Sequence, residues 1–89
     1  MTDSSDINRM RWASRRGLLE LDLFLAQFVD QRYRSLSPDM QSMYRELLEA
    51  PDQDLLEWLM GRSTPEPAHL SVIVDLIRQH KADQAPIPL

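Results

Sequence analysis

The chain has two glycines in 89 residues, Gly17 and Gly61, and each lies where a stretch of helical apolar spacing begins or ends. Glycine so scarce and so placed points to helices, and no run alternates with the two-residue period of a strand. The clearest helix starts at Ser37-Pro38-Asp39, which supplies an N-cap hydroxyl, a proline at the first helical position and an acid in the first turn. Met40, Met43, Tyr44, Leu47 and Leu48 then fall on one face, and Pro51 ends the run. A shorter helix is predicted over Asp52 to Met60, with Leu55, Leu56 and Leu59 inward, Trp58 beside them and Gly61 as its C-terminal cap. After the turn cluster Arg62–Pro67, Leu70, Ile73, Val74 and Ile77 mark a last helix from about Ala68 to Lys81.

Upstream, Leu18 to Arg34 is the most apolar segment. Leu18, Leu21, Leu25 and Phe28 form its core stripe, and Glu20, Gln27, Gln31 and Arg34 a polar one. A first helix is predicted from Ile7 to about Ser14, with Gly17 loosening its junction to the second. Short connections favour antiparallel neighbours, so the fold class is all-α: one domain, a compact bundle of about five helices. The expected boundaries are a flexible segment over 1–8, a helical domain over 9–81 and a flexible tail over 82–89. No helix shows an apolar face beyond the one its core needs, so the free protein is expected to be a monomer.

The chain has no Cys, which removes disulfides, thiolate metal sites and a cysteine nucleophile, and fits a reducing compartment. The start, Met1 to Asp6, is acidic rather than a basic leader into an apolar core. No apolar run approaches the roughly 18–20 residues of a membrane helix. A cytoplasmic protein without membrane insertion is expected. The net charge of −4 conceals an asymmetry. Arg9, Arg11, Arg15 and Arg16 stand in a stretch without acids, whereas Glu46, Glu49, Asp52, Asp54 and Glu57 stand in one without bases. An anionic partner would meet the first.

Catalytic sets are missing. His69 and His80 are out of register for one helical face and read as solvated surface residues, with no third metal ligand nearby. Asp52-Gln53-Asp54 opens like a calcium loop but has Glu57 where that loop needs glycine. There is no phosphate loop, nucleophile elbow or dinucleotide fingerprint. The expectation is a protein that is not an enzyme, with no catalytic residue, no metal site and no cofactor-binding residue. Met40, Met43, Tyr44, Met60 and Trp58 read as core. Trp12, flanked by arginines in a barely amphipathic segment, reads as a contact residue.

The segment Arg15-Arg16-Gly17-Leu18-Leu19-Glu20 departs from simple helix stability. Arg16 and Glu20 are spaced for a surface ion pair, but base before acid is the weaker order. A glycine between them weakens a helix by up to about 1 kcal/mol relative to alanine. Gly17 instead permits close approach of another backbone, or a sharp junction that presents Arg16 and Glu20 outward.

Arg9-x-x-Trp12-x-x-Arg15-Arg16-Gly17-x-x-Glu20-Leu21-Asp22 resembles the Arg-Gly-x-x-Glu motif of the SdhE family, the succinate dehydrogenase assembly factors. The similarity continues through Leu36-Ser37, Tyr44-x-x-Leu47-Leu48 and Asp52-x-Asp54-Leu55-x-x-Trp58-Leu59-Met60, and covers roughly Arg9 to Gln79. The resemblance implies a five-helix protein that binds the flavoprotein subunit of succinate dehydrogenase, with fumarate reductase flavoproteins as related clients. There it promotes covalent attachment of FAD to a histidine of the client. It also implies that FAD belongs to the client and is not bound stably by the factor. The motif carries over to Arg16, Gly17 and Glu20, with Arg9, Trp12 and Arg15 as neighbours in a partner-binding surface.

Two other classes stay open at this stage. An antitoxin-like regulator that neutralises a protein partner also suits a small acidic helical chain, and the co-purifying protein would discriminate. A nucleic-acid-binding regulator could use the arginine cluster, but a pI near 5.0 and the acidic Glu46–Glu57 segment argue against a phosphate-tracking surface. No nucleic acid partner is therefore expected.

Overall fold

A computed structural model describes residues 4–83, and within them five α-helices and no strand. The helices are α1 (Ser4–Ala13), α2 (Leu19–Arg32), α3 (Pro38–Leu47), α4 (Asp52–Leu59) and α5 (Ser71–Asp83). Short 3-10 turns over Tyr33–Ser35 and Ala68–Leu70 end α2 and precede α5, within spans that the periodicity predicts as continuous helix.

The starts and stops follow local chemistry. Ser37 Oγ accepts the Met40 N–H at 3.2 Å, so α3 begins at Pro38 as its capping residues dictate. At the end of α4, Gly61 (φ +77°) donates its N–H to the Trp58 carbonyl and Arg62 donates to the Glu57 carbonyl. This is the Schellman arrangement, which satisfies carbonyls that the helix leaves open. The first helix differs from expectation. It begins at Ser4 rather than Ile7, inside the segment expected to be flexible, because Ile7 and Met10 turn one face into the core. Helix α5 runs on to Asp83, and the remainder of the expected tail lies outside the described residues.

Helix α2 is the hub, packing against α1, α4 and α5. Leu21, Leu25, Phe28 and Val29 are buried, whereas Leu18, expected on that stripe, precedes the helix and is 40% exposed. The Phe28 ring meets Tyr44 from α3 and His80 from α5, each at 5.7 Å between centroids. Tyr33 is buried as well: Arg45 donates to its hydroxyl at 2.9 Å, and that hydroxyl donates to Asp6 Oδ2 at 3.2 Å. Trp58 is in the core as expected, while Met40 and Met43 lie half-buried against it. Met60, expected with them, is exposed at the C-cap of α4.

The histidines do not behave alike. His69 is an exposed partner of Glu46, with 2.9 Å between Nε2 and Oε1. His80 is 6% exposed, contrary to the expectation of a solvated residue, because it follows Ile73 and Ile77 on the inward stripe of α5. Its Nε2 is buried with no hydrogen-bond partner among the described residues. Burial lowers its pKa from the ordinary 6.5, the Arg32 charge lowers it further, and Asp83 opposes both. The fold therefore favours neutral His80, while an unfolded chain takes up the proton as pH falls below about 6.5. The stability this residue contributes is present above that value and declines as pH drops through and below it. Thermal melts at pH 7.5 and 5.5 should show a lower Tm at the acidic pH, and His80→Phe should flatten that dependence. An unchanged slope in the variant would remove His80 as its source.

Candidate docking junction between α1 and α2

Residues 14–18 form a tight connector whose course is set from three sides. The Ser14 N–H continues the α1 ladder to the Met10 carbonyl at 2.9 Å. The Ser14 hydroxyl is buried and shares a hydrogen bond of 2.6 Å with the Tyr44 hydroxyl of α3. Tyr44 is fully buried, so its pKa is raised and the phenol stays neutral, able to serve as donor or acceptor. The Arg16 N–H donates to Asp22 Oδ1 at 3.1 Å, which ties the connector to the first turn of α2.

Gly17 then turns the chain with φ +82°, a left-handed conformation that side chains with a Cβ adopt only under strain. A Cβ built at this position has nothing within 4 Å. The glycine is thus required by backbone geometry, and the space beside it is open. That combination leaves room for another molecule's backbone at this point.

The structure divides the arginine cluster. Arg11 is held within the fold, with Nε 2.7 Å from Asp30 Oδ1 and a 3.0 Å bond to Asn8 Oδ1. Arg16 also turns inward, against the expectation that it is presented outward or paired with Glu20. Its Nη2 donates to the Leu48 carbonyl and its Nε lies 3.4 Å from Asp52 Oδ1. Its side chain keeps 20% of its exposure. The reason is electrostatic: Leu48 is the C-cap of α3, where unpaired carbonyls attract a cation, and Asp52 stands in the first turn of α4. Arg9, Arg15 and Glu20 are exposed.

Besides these charges the chain exposes apolar side chains, of which the sequence pointed to Trp12 but not to the leucines. Trp12 is 75% exposed and Leu19 71%, with Leu18 and Leu23 about two-fifths exposed. Leu19, Leu23, Ala26 and Asp30 share one face of α2, opposite its core stripe. Arg15 and Arg11 meet that face in a cavity of about 140 Å³ that Ala26 and Asp30 complete. The expectation that no helix carries a surplus apolar face is therefore wrong for α2. Its nearly continuous apolar sequence hid two faces, one buried and one exposed, and the signal was the number of leucines rather than their period. Exposed leucines and a tryptophan beside arginines form the chemistry of a protein–protein contact.

No group of three or more His, Asp or Glu able to hold a metal ion occurs among the described residues, and no described helix is long and apolar enough to cross a membrane. Comparison with known proteins supplies the remaining information. Residues 8–81 match the model of the family described as flavinator of succinate dehydrogenase. A protein named FAD assembly factor SdhE from Pseudomonas aeruginosa is 44% identical over 77 residues, 86% of this chain and 92% of that protein. Its namesake in Coxiella burnetii is 39% identical over 71 residues, 80% and 87% of the respective chains. That of Pseudomonas syringae pv. tomato is 42% identical over 77 residues, again 86% and 92%.

Proposed function

Because the chain belongs to the family of succinate dehydrogenase flavinators, we propose that its α1–α2 junction docks on the flavoprotein subunit of succinate dehydrogenase or fumarate reductase. The chain acts as an FAD assembly factor: it promotes covalent attachment of FAD to its client. The observation that supports the junction as the docking surface is its exposed set. Trp12 on α1 and Leu18, Leu19 and Leu23 at the start of α2 are exposed on either side of Gly17 in the chain, the space beside Gly17 is open, and Arg9, Arg15 and Glu20 are exposed for charge complementarity.

On this reading the chemistry occurs in the client, between its histidine and the flavin. The small protein acts by holding a client conformation in which the two are aligned, a positional contribution to rate. It is not itself a catalyst, FAD belongs to the client, and the encounter takes place in the cytoplasm. Gly17 lets the client backbone approach, the leucines and Trp12 exclude water at the contact, and Glu20 pairs with a client cation or polar group. Arg16 stays within the small protein and holds the junction in shape.

Glu20→Ala tests this directly. Glu20 is exposed, and no hydrogen bond or ion pair ties it to other described residues, so only its favourable place in the first turn of α2 is lost and stability should fall by no more than about 1 kcal/mol. Co-expressed with the flavoprotein, the variant should lower covalent flavin, read by in-gel fluorescence, by about fivefold or more, the loss expected of a central interface residue. Normal flavinylation with Glu20→Ala would place the docking surface elsewhere.

A further inference from the structure

Resting on that reading of the junction, we propose that Asp52 is a positioning residue for client docking, acting through Arg16. Asp52 lies 36 positions from Arg16 in the chain and outside the exposed apolar surface, yet the fold brings their side chains together. The contact has three parts. Arg16 Nη2 caps the Leu48 carbonyl at the end of α3, Asp52 Oδ1 lies 3.4 Å from Arg16 Nε, and Asp22 Oδ1 accepts the Arg16 N–H. The Nε–H is buried and has no aligned hydrogen-bond acceptor among the described residues, so Asp52 holds it by charge.

The consequence follows from chain geometry. Arg16 and Gly17 are adjacent, and the left-handed turn at Gly17 leads directly into Leu18, Leu19 and Glu20. Fixing the Arg16 guanidinium on the α3–α4 turn fixes the direction in which that turn presents α2's first residues. The Ser14–Tyr44 bond pins the other end of the connector to α3. A connector held at both ends meets its partner already shaped, and less ordering accompanies docking. Asp52 thus contributes to affinity without touching the client.

Asp52 has a second role that the test must separate. As the first residue of α4 it also favours that helix's N-terminus, and its loss weakens α4 whatever happens at Arg16. Asp52→Asn removes the charge from both roles. Adding Gln53→Glu, at an exposed site one residue on, returns an acid to the helix terminus without returning one to Arg16.

The experiment measures Kd for the purified apo-flavoprotein subunit, with thermal melts of each variant. Asp52→Asn should weaken binding about fivefold, the scale of a partly exposed ion pair at its upper range. Asp52→Asn/Gln53→Glu should recover the part of Tm that the α4 terminus supplies, but not affinity. In an Arg16→Ala background, Asp52→Asn should change affinity by less than about twofold, since a residue acting through another has nothing left to act on. Wild-type affinity in Asp52→Asn, recovery of affinity with Gln53→Glu, or a full additional loss in the Arg16→Ala background would each overturn the proposal. Failure of the wild-type chain to bind the flavoprotein would overturn the docking function itself, and this proposal with it; it is recognisable because it appears before any substitution is made.

Discussion

Gly17→Arg should yield a folded protein that no longer raises the covalent flavin content of its client. The backbone at this position has φ +82°, and a residue with a Cβ held there costs about 1–2 kcal/mol. For a domain of this size that corresponds to a Tm loss on the order of 10 °C. No neighbouring atom lies within 4 Å of the Cβ position, so the arginine side chain enters open space without disturbing the core. It enters the same space that the client backbone is proposed to occupy, and covalent flavin should fall by more than about tenfold, the equivalent of one well-placed contact. Gly17→Ala carries the same strain without the bulk, so it should lower flavinylation far less. Equal losses in the two variants would mean that the backbone turn alone matters and that nothing approaches Gly17 closely.

Phe28→Ala should produce the largest loss of stability. Phe28 is fully buried on α2, and its ring touches Tyr44 of α3 and His80 of α5, so one side chain joins three helices. Large-to-small replacement of a buried phenylalanine costs about 3–5 kcal/mol, a large share of the roughly 5–15 kcal/mol that holds a domain together. A thermal melt followed by circular dichroism should show Tm lowered by more than about 15 °C. Since Tyr44 also bonds Ser14, loosening this site should weaken the connector as well as the core. A Tm within a few degrees of the wild-type value would show that the surrounding side chains close over the gap.

What the sequence made legible was local. Ser37, Pro38 and Asp39 mark the start of α3 because capping acts over three or four residues, and the structure starts the helix where they do. Gly61 caps α4 for the same reason. The position of Gly17 at a sharp junction was legible too, since a glycine between Arg16 and Glu20 makes little sense for helix stability alone. The destination of the Arg16 side chain was not. It depends on Leu48 and Asp52, more than thirty residues away, and only the packing of α3 and α4 brings them near. The second apolar face of α2 was hidden because leucines on two opposite faces cancel any periodic signal. His80 was misplaced by chemistry rather than period: its spacing from Ile73 and Ile77 puts it inside, although histidine is usually at the surface.

The Asp52–Arg16 contact also turns Arg16 away from the partner-facing place that the arginine cluster first implied. A guanidinium beside a flavoprotein could reach across to a carboxylate of the client. Here it already satisfies the end of α3 and faces an acid of its own chain. Gly17 and Glu20 are exposed, while Arg16 is proposed to secure the turn that presents them.

If this chain promotes flavin attachment by docking through the α1–α2 junction, the rate of attachment must depend on that junction. Purified components measure that dependence: apo-flavoprotein subunit and FAD, incubated with no addition, with the wild-type chain or with Gly17→Arg. Covalent flavin is then read as fluorescence of the denatured subunit on a gel. Attachment should be faster with the wild-type chain and near the unaided rate with Gly17→Arg. Equal rates in all three reactions would mean that neither the chain nor its junction takes part in attachment.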